Sequence, residues 1–183
     1  MKLNVVLAGV GGQGLITLAD LIARSVKRAG KDVVVAETHG LSQRGGSVVV
    51  HVRIGGRAPL IPQGRGDLML AMELIEAARY SKFLRPGAKV VVNDYLVPPS
   101  VPGAEVPKRE ELLKFLNDNF EVELVEATKK ALELGDVRVA NVILLGKAVK
   151  SGAFEGFFTL EDVEETVKEL WRGGKNLEAL RLA

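Results

Sequence analysis

The sequence predicts an α/β protein: one domain spanning residues 1–183, built as an open three-layer, Rossmann-like sheet, mostly parallel, with helices on both faces. Three observations carry that prediction. An apolar β-run, Leu3-Asn4-Val5-Val6-Leu7-Ala8, passes through a glycine cluster directly into a helical pattern. Short β-rich runs then alternate with stretches of helical period along the whole chain, which is the signature of helices packed on a largely parallel sheet. One β-run, 48–54, is joined to the preceding one by a loop alone, and a parallel return needs a longer crossover, so that strand is expected to run antiparallel.

The elements follow in order. After the glycines, Leu15, Leu18, Ala19, Ile22, Ala23 and Val26 recur at helical spacing, giving a first helix over 14–29 that stops at Gly30. Residues 32–37 form a short β-run. Strand, helix and strand within about 35 residues make a βαβ unit, expected to be right-handed and parallel. In the run 48–54, His51 and Arg53 alternate against Val50, Val52 and Ile54, so one face is expected to be the wetter. Residues 58–66, with Pro59, Pro62 and Gly64, read as a loop. A buried strand over 67–72, a helix over 73–83 and a strand over 88–93 come next, with Pro86-Gly87 separating the last two. Pro98, Pro99, Pro102 and Pro107 make the following connection stiff and extended. Helix 108–117, strand 122–125, helix 127–134 and helix 139–150 follow. The last predicted helix covers 160–171, where Thr159 offers an N-cap with Asp162 near the first turn. Gly173-Gly174 then leads into a short charged tail.

Composition narrows the function classes. The 183 residues suffice to bury roughly 70% of the surface that the unfolded chain exposes. The 25 basic and 23 acidic residues are interspersed and leave a net charge of +2, so nucleic acid is not an expected partner. There is no cysteine, which excludes disulfides, a thiol nucleophile and cysteine-held iron–sulfur clusters within this chain. No run approaches the roughly 20 apolar residues of a membrane span, and the N-terminus has no signal-peptide pattern; a cytoplasmic protein with no membrane contact is expected.

Two segments are candidates for chemistry. Gly9, Gly11 and Gly14 fit G-x-G-x-x-G, with Gly12 and Gln13 completing the loop. Such a loop can present backbone N–H groups, at the positive end of a helix dipole, to a phosphate, pyrophosphate or carboxylate. The same glycines also suit a tight strand–helix turn with no ligand. Glu37 stands 23 positions past Gly14, near where a ribose-binding carboxylate is expected, so a free-standing NAD(P)-binding reductase is one reading. The second segment is Ser42-Gln43-Arg44-Gly45-Gly46, polar and flexible between two strands. Arg44 could clamp a carboxylate or phosphate bidentately, and the loop is expected to share one crevice with the glycine loop. The alternative is an ordinary solvated loop. His39 and His51 are the only histidines; no G-x-S-x-G elbow accompanies Ser42, and no ligand set for a two-histidine metal site is visible. Asn93, Asp94, Tyr95 and Asn141 lie near element ends, where capping and turn roles are expected. A nonenzymatic ligand-binding or scaffolding module remains a third reading.

Gly9-Val-Gly-Gly-Gln-Gly14, followed by Glu37-Thr-His-Gly-Leu-Ser-Gln-Arg-Gly-Gly-Ser-Val-Val-Val-His-Val-Arg53, resembles the gamma-type subunit or domain of the 2-oxoacid:ferredoxin oxidoreductases. The form His-Gly-x-Ser-Gln-Arg-Gly-Gly is most similar to the indolepyruvate branch of that family. The resemblance extends over nearly the whole chain, including Asn141-Val-Ile-Leu-Leu-Gly146. It implies an enzyme complex that oxidatively decarboxylates aryl 2-oxoacids, forms the acyl-coenzyme A and reduces ferredoxin. It also implies a larger alpha subunit as partner, holding thiamine diphosphate, magnesium and iron–sulfur clusters. No cofactor is expected on this chain alone and no residue of it is expected to be catalytic; coenzyme A enters as co-substrate. The glycine and Arg44 loops would line the substrate or coenzyme A access region. The sequence agrees in having no Gly-Asp-Gly thiamine motif, since Gly66-Asp67 and Gly135-Asp136 are each followed by a bulky residue.

Overall fold

A computed structural model describes residues 1–39, 46–99, 101–172 and 174–183, with only the backbone of His39. Its centre is β1 (Leu3–Val10), buried on both sides: Val5 and Leu7 face one helical layer, Val6 and Ala8 the other, and all four are fully buried. α1 (Leu15–Arg28) follows, then β2 (Val33–His39), β3 (Ser47–Ile54) and β4 (Gly66–Ala71). α2 (Leu74–Tyr80) leads through a 3-10 turn, Ser81–Phe83, into β5 (Leu84–Asn93). α3 (Arg109–Asn119), β6 (Glu121–Val125), α4 (Ala127–Glu133), α5 (Ala140–Lys150), α6 (Leu160–Trp171) and α7 (Lys175–Leu182) complete the chain.

The six strands form one sheet in the order β2-β3-β1-β4-β5-β6. β1, β4, β5 and β6 are parallel, and β3 runs antiparallel to both of its neighbours, as its loop connection requires. The β1-α1-β2 unit is therefore a split one: β2 points the same way as β1, but β3 lies between them. Helices α1, α4, α5, α6 and α7 cover one face around Leu18, Ile22, Leu144 and Phe154. Helices α2 and α3 cover the other around Leu74, Leu112 and Leu116.

Local chemistry explains most boundaries. Thr159 and Asp162 form a reciprocal capping box at the start of α6, which satisfies two backbone donors that would otherwise be orphaned. Glu73 is not part of α2 but its N-cap, its carboxylate accepting the N–H groups of Glu76 and Val97. β5 begins at Leu84, earlier than expected: Pro86-Gly87 lie within it, where its register against β4 shifts, so the proline's missing donor interrupts no regular ladder. The expected charged tail is instead α7, which buries Ala179 and Leu180 against α5. Gly146 of α5 makes that packing possible, because a Cβ there would come within 2.6 Å of the Ala183 side chain and 3.1 Å of Leu180. No helix is long and apolar enough to cross a membrane among the described residues.

Candidate functional site

The chain leaves β1 at Val10 and turns sharply. The Gln13 N–H donates to the Val10 carbonyl at 3.1 Å, and the Gln13 side-chain oxygen accepts the Val10 N–H at 2.7 Å. Gln13 thus closes the loop upon itself. Gly9 is the counterpart of that closure: a Cβ there would lie 2.7 Å from the Gln13 oxygen and 3.2 Å from the Met72 Cβ. Gly11 donates its N–H to the Gly46 carbonyl at 2.8 Å, which ties the start of β3 to the loop. Gly14, left-handed at φ 79°, is the N-cap of α1, and Asn141 of α5 donates to its carbonyl at 3.0 Å. Gly12, at φ 94°, has open space where a Cβ would point.

α1 therefore begins without a side-chain cap and without an acidic residue in its first turn. The first N–H groups of a helix have no partner within it, and here they are aimed at the mouth of the glycine loop. Beside them opens a cleft of about 590 Å³, bounded by Gly12, Thr17, Tyr95, Thr128, Arg138 and Trp171. A second cleft of about 440 Å³ borders Gly11, Gly12, Ile16 and Val48 on the β3 side. The first lies at the C-terminal ends of the parallel strands, where the chain order in the sheet reverses between β1 and β4; that position is the usual ligand crevice of open α/β sheets.

Several polar side chains hold the crevice in shape. Asn93 is fully buried at the end of β5; its amide donates to the Met72 carbonyl at 3.0 Å and to the Thr128 hydroxyl at 2.8 Å, and its oxygen accepts the Thr128 N–H. It thereby caps α4 from across the sheet. Asn141 also accepts the Val142 N–H at 2.9 Å, so its role is wider than capping: it ties α5 to the glycine loop. Arg109 forks onto Asp94 with two contacts of 2.8 Å, and this hydrogen-bonded guanidinium holds the Asp94 carboxyl below its usual range. Glu73 goes the other way: burial raises its pKa despite the backbone N–H groups that it accepts.

Of the other candidates, Ser42, Gln43, Arg44 and Gly45 lie outside the described residues. Gly46, which is described, meets the glycine loop through its carbonyl. His51 is a core residue: buried, it packs edge-on to Phe83 at 4.8 Å, and its Nδ1 accepts the Ile61 N–H at 3.0 Å. That nitrogen is not available to a metal, and no cluster of three or more potential metal ligands occurs among the described residues. Glu37 pairs with Val50 of β3, two strands away from β1, roughly 9–10 Å at ordinary strand spacing. β3 lies between that strand and β1, and Glu37 shares a cleft of about 420 Å³ with Ile16 and Thr17 at the start of α1.

The model of the pyruvate ferredoxin/flavodoxin oxidoreductase family matches residues 4–183. The chain belongs to that family. The indolepyruvate oxidoreductase subunit IorB of Archaeoglobus fulgidus is 44% identical over 190 aligned positions, covering 100% of this chain and 94% of the relative. Among solved structures, the pyruvate oxidoreductase subunit PORC of Thermotoga maritima superposes with a TM-score of 0.73 at 21% identity, over 99% of this chain and 94% of that one. The 2-oxoglutarate:ferredoxin oxidoreductase of Magnetococcus marinus, solved with 2-oxoglutarate, coenzyme A and succinyl-CoA bound, gives a TM-score of 0.71 at 23% identity; the match covers 99% of this chain and 30% of that polypeptide.

In this member of the pyruvate ferredoxin/flavodoxin oxidoreductase family, both Gly-Asp pairs have structural duties. Asp67 accepts the Asn4 N–H at 2.8 Å and meets Arg85 at the N-terminal end of β4, the sheet edge opposite the glycine loop. Asp136 caps the 3-10 turn Val137–Val139 and is held by both arms of the Arg138 guanidinium.

Proposed function

We propose that this chain is the small, noncatalytic subunit of an indolepyruvate-type 2-oxoacid:ferredoxin oxidoreductase. The complex would oxidise aryl pyruvates to aryl-acetyl-coenzyme A, with the electrons passing to ferredoxin. The observation that carries this reading is the full-length 44% identity to a subunit named for indolepyruvate. A chain without cysteine cannot itself hold a cysteine-ligated cluster, so the iron–sulfur centres belong on a larger alpha subunit; in this reading the same subunit holds thiamine diphosphate and magnesium, and ferredoxin is reduced through the complex. The complex is cytoplasmic in this reading.

This chain's contribution is a wall of the coenzyme A access region. Gly12 and Gly14 offer backbone N–H groups and the positive end of α1 to the anionic part of coenzyme A, while Gly9, Gly11 and Gln13 hold the loop in that shape. In this reading Ser42, Gln43, Arg44, Gly45 and Gly46 also serve coenzyme A binding, with Arg44 supplying the cation. In support, a structural neighbour was solved with coenzyme A bound. The test is reconstitution: the purified chain alone reduces neither ferredoxin nor a viologen dye with indolepyruvate and coenzyme A, and adding the larger subunit restores the rate. Turnover by the chain alone overturns the proposal.

A further inference from the structure

Trp171 is the only tryptophan of the chain, and it stands where the periodicity of α6 calls for a core residue. α6 turns Val163, Thr166 and Val167 inward, and Leu170 and Trp171 continue that stripe by one more turn. Trp171 nevertheless keeps 37% of its surface exposed, and it lines both the 590 Å³ cleft beside the glycine loop and the neighbouring one of 420 Å³. No ring or cation stacks on it among the described residues. α6 ends immediately after it at Arg172, left-handed at φ 52°, the one non-glycine residue with positive φ among the described residues. Beyond this turn α7 brings Asn176 to the larger cleft.

The two clefts differ in what they can take. Asp20 and Glu37 line the smaller one, which disfavours a phosphate. The larger includes Gly12 and Gly14, and its charged residues, Asp136 and Arg138, are paired with each other. Its volume suits a ligand of nucleotide size. The Thr17 hydroxyl and the Asn176 amide line it and make no hydrogen bond among the described residues. An amide carries a donor and an acceptor side by side, which matches the amino group and adjacent ring nitrogen of adenine. An exposed indole supplies the flat apolar surface on which a base stacks.

We infer that Trp171 and Asn176 form an adenine subsite in the larger cleft, the purine lying on the indole and its edge read by the Asn176 amide, with the phosphates toward Gly12 and Gly14. The inference rests on the reading of coenzyme A as ligand. Adenine is the part of coenzyme A most distant from its thiol, so anchoring it on this chain leaves the reacting end free to extend to the larger subunit.

The single tryptophan makes the subsite its own reporter. Titrating the full chain with coenzyme A, or with adenosine bisphosphate alone, should quench the tryptophan emission saturably by millimolar concentration, and pantetheine, which lacks the nucleotide, should not. Asn176→Leu keeps the reporter and should weaken coenzyme A binding about tenfold, with the emission of the unliganded chain unchanged. In the assembled complex Trp171→Leu should raise the KM for coenzyme A about tenfold. Emission that coenzyme A does not quench, equal quenching by pantetheine, or unchanged affinity in Asn176→Leu overturns the inference. Each of these leaves the reconstitution assay free to succeed, whereas adenine-dependent quenching in a chain that restores no activity would sustain the subsite and overturn the subunit reading.

Discussion

His51 shows how a residue that could have been catalytic is spent on structure. Burial, with the Arg53 charge adding to it, holds its imidazole below the ordinary 6.5, and the Ile61 N–H requires Nδ1 to be unprotonated. The unfolded chain takes up a proton at His51 below about pH 6.5, whereas the folded chain does so only at lower pH. The stability that the neutral ring contributes is therefore complete above that pH and declines as pH falls below it. Glu73, with its carboxyl raised by burial, acts in the opposite sense, but it is common to the native protein and any His51 variant. Urea titrations of the native chain and His51→Gln should show the native protein losing more stability between about pH 6.5 and 5; parallel curves would show that the ring titrates normally. Asn141 is the residue that most directly shapes the crevice. Asn141→Ala removes one of the two donors to the Gly14 carbonyl, leaving the Leu18 N–H, and takes the side-chain acceptor from the Val142 N–H; it should cost about 1–3 kcal/mol by urea titration. In the assembled enzyme it should raise the KM for coenzyme A more than it lowers kcat.

At the level of elements, local signals account for what could be read beforehand. The β1–glycine–α1 unit, the antiparallel β3 and the Thr159 capping box each follow from residues within a few positions of one another. α7 escaped because only Leu177, Ala179 and Leu180 mark its apolar face, and its partner, Gly146, lies about 30 residues earlier. Asn141's tie to Gly14 spans 127 positions, and nothing near it in the chain announces it. The split βαβ unit was likewise invisible: strand order depends on which edge β3 joins, and that is decided by the packing of both helical layers. Gly146→Val should drive α7 off α5, since the added side chain would overlap Ala183 and Leu180. Increased amide exchange confined to 175–182 and the adjoining face of α5 is the expected result, and unchanged protection there would contradict that packing role.

For the whole molecule, most of the layered architecture was legible because alternating strands and helices admit few solutions. The site was legible only as a glycine loop. The cleft beside it is assembled from Tyr95, Thr128, Arg138 and Trp171, which come from four separate places in the chain. This geometry provides a helix N-terminus without a side-chain cap beside a shaped crevice, which is what the proposed wall of a coenzyme A access region needs. The most direct test is to capture the tagged chain from the cells that make it and record the mass and visible spectrum of what elutes with it. A larger, cysteine-rich chain with broad brown iron–sulfur absorbance is the predicted result. A colourless eluate containing this chain alone would contradict the account.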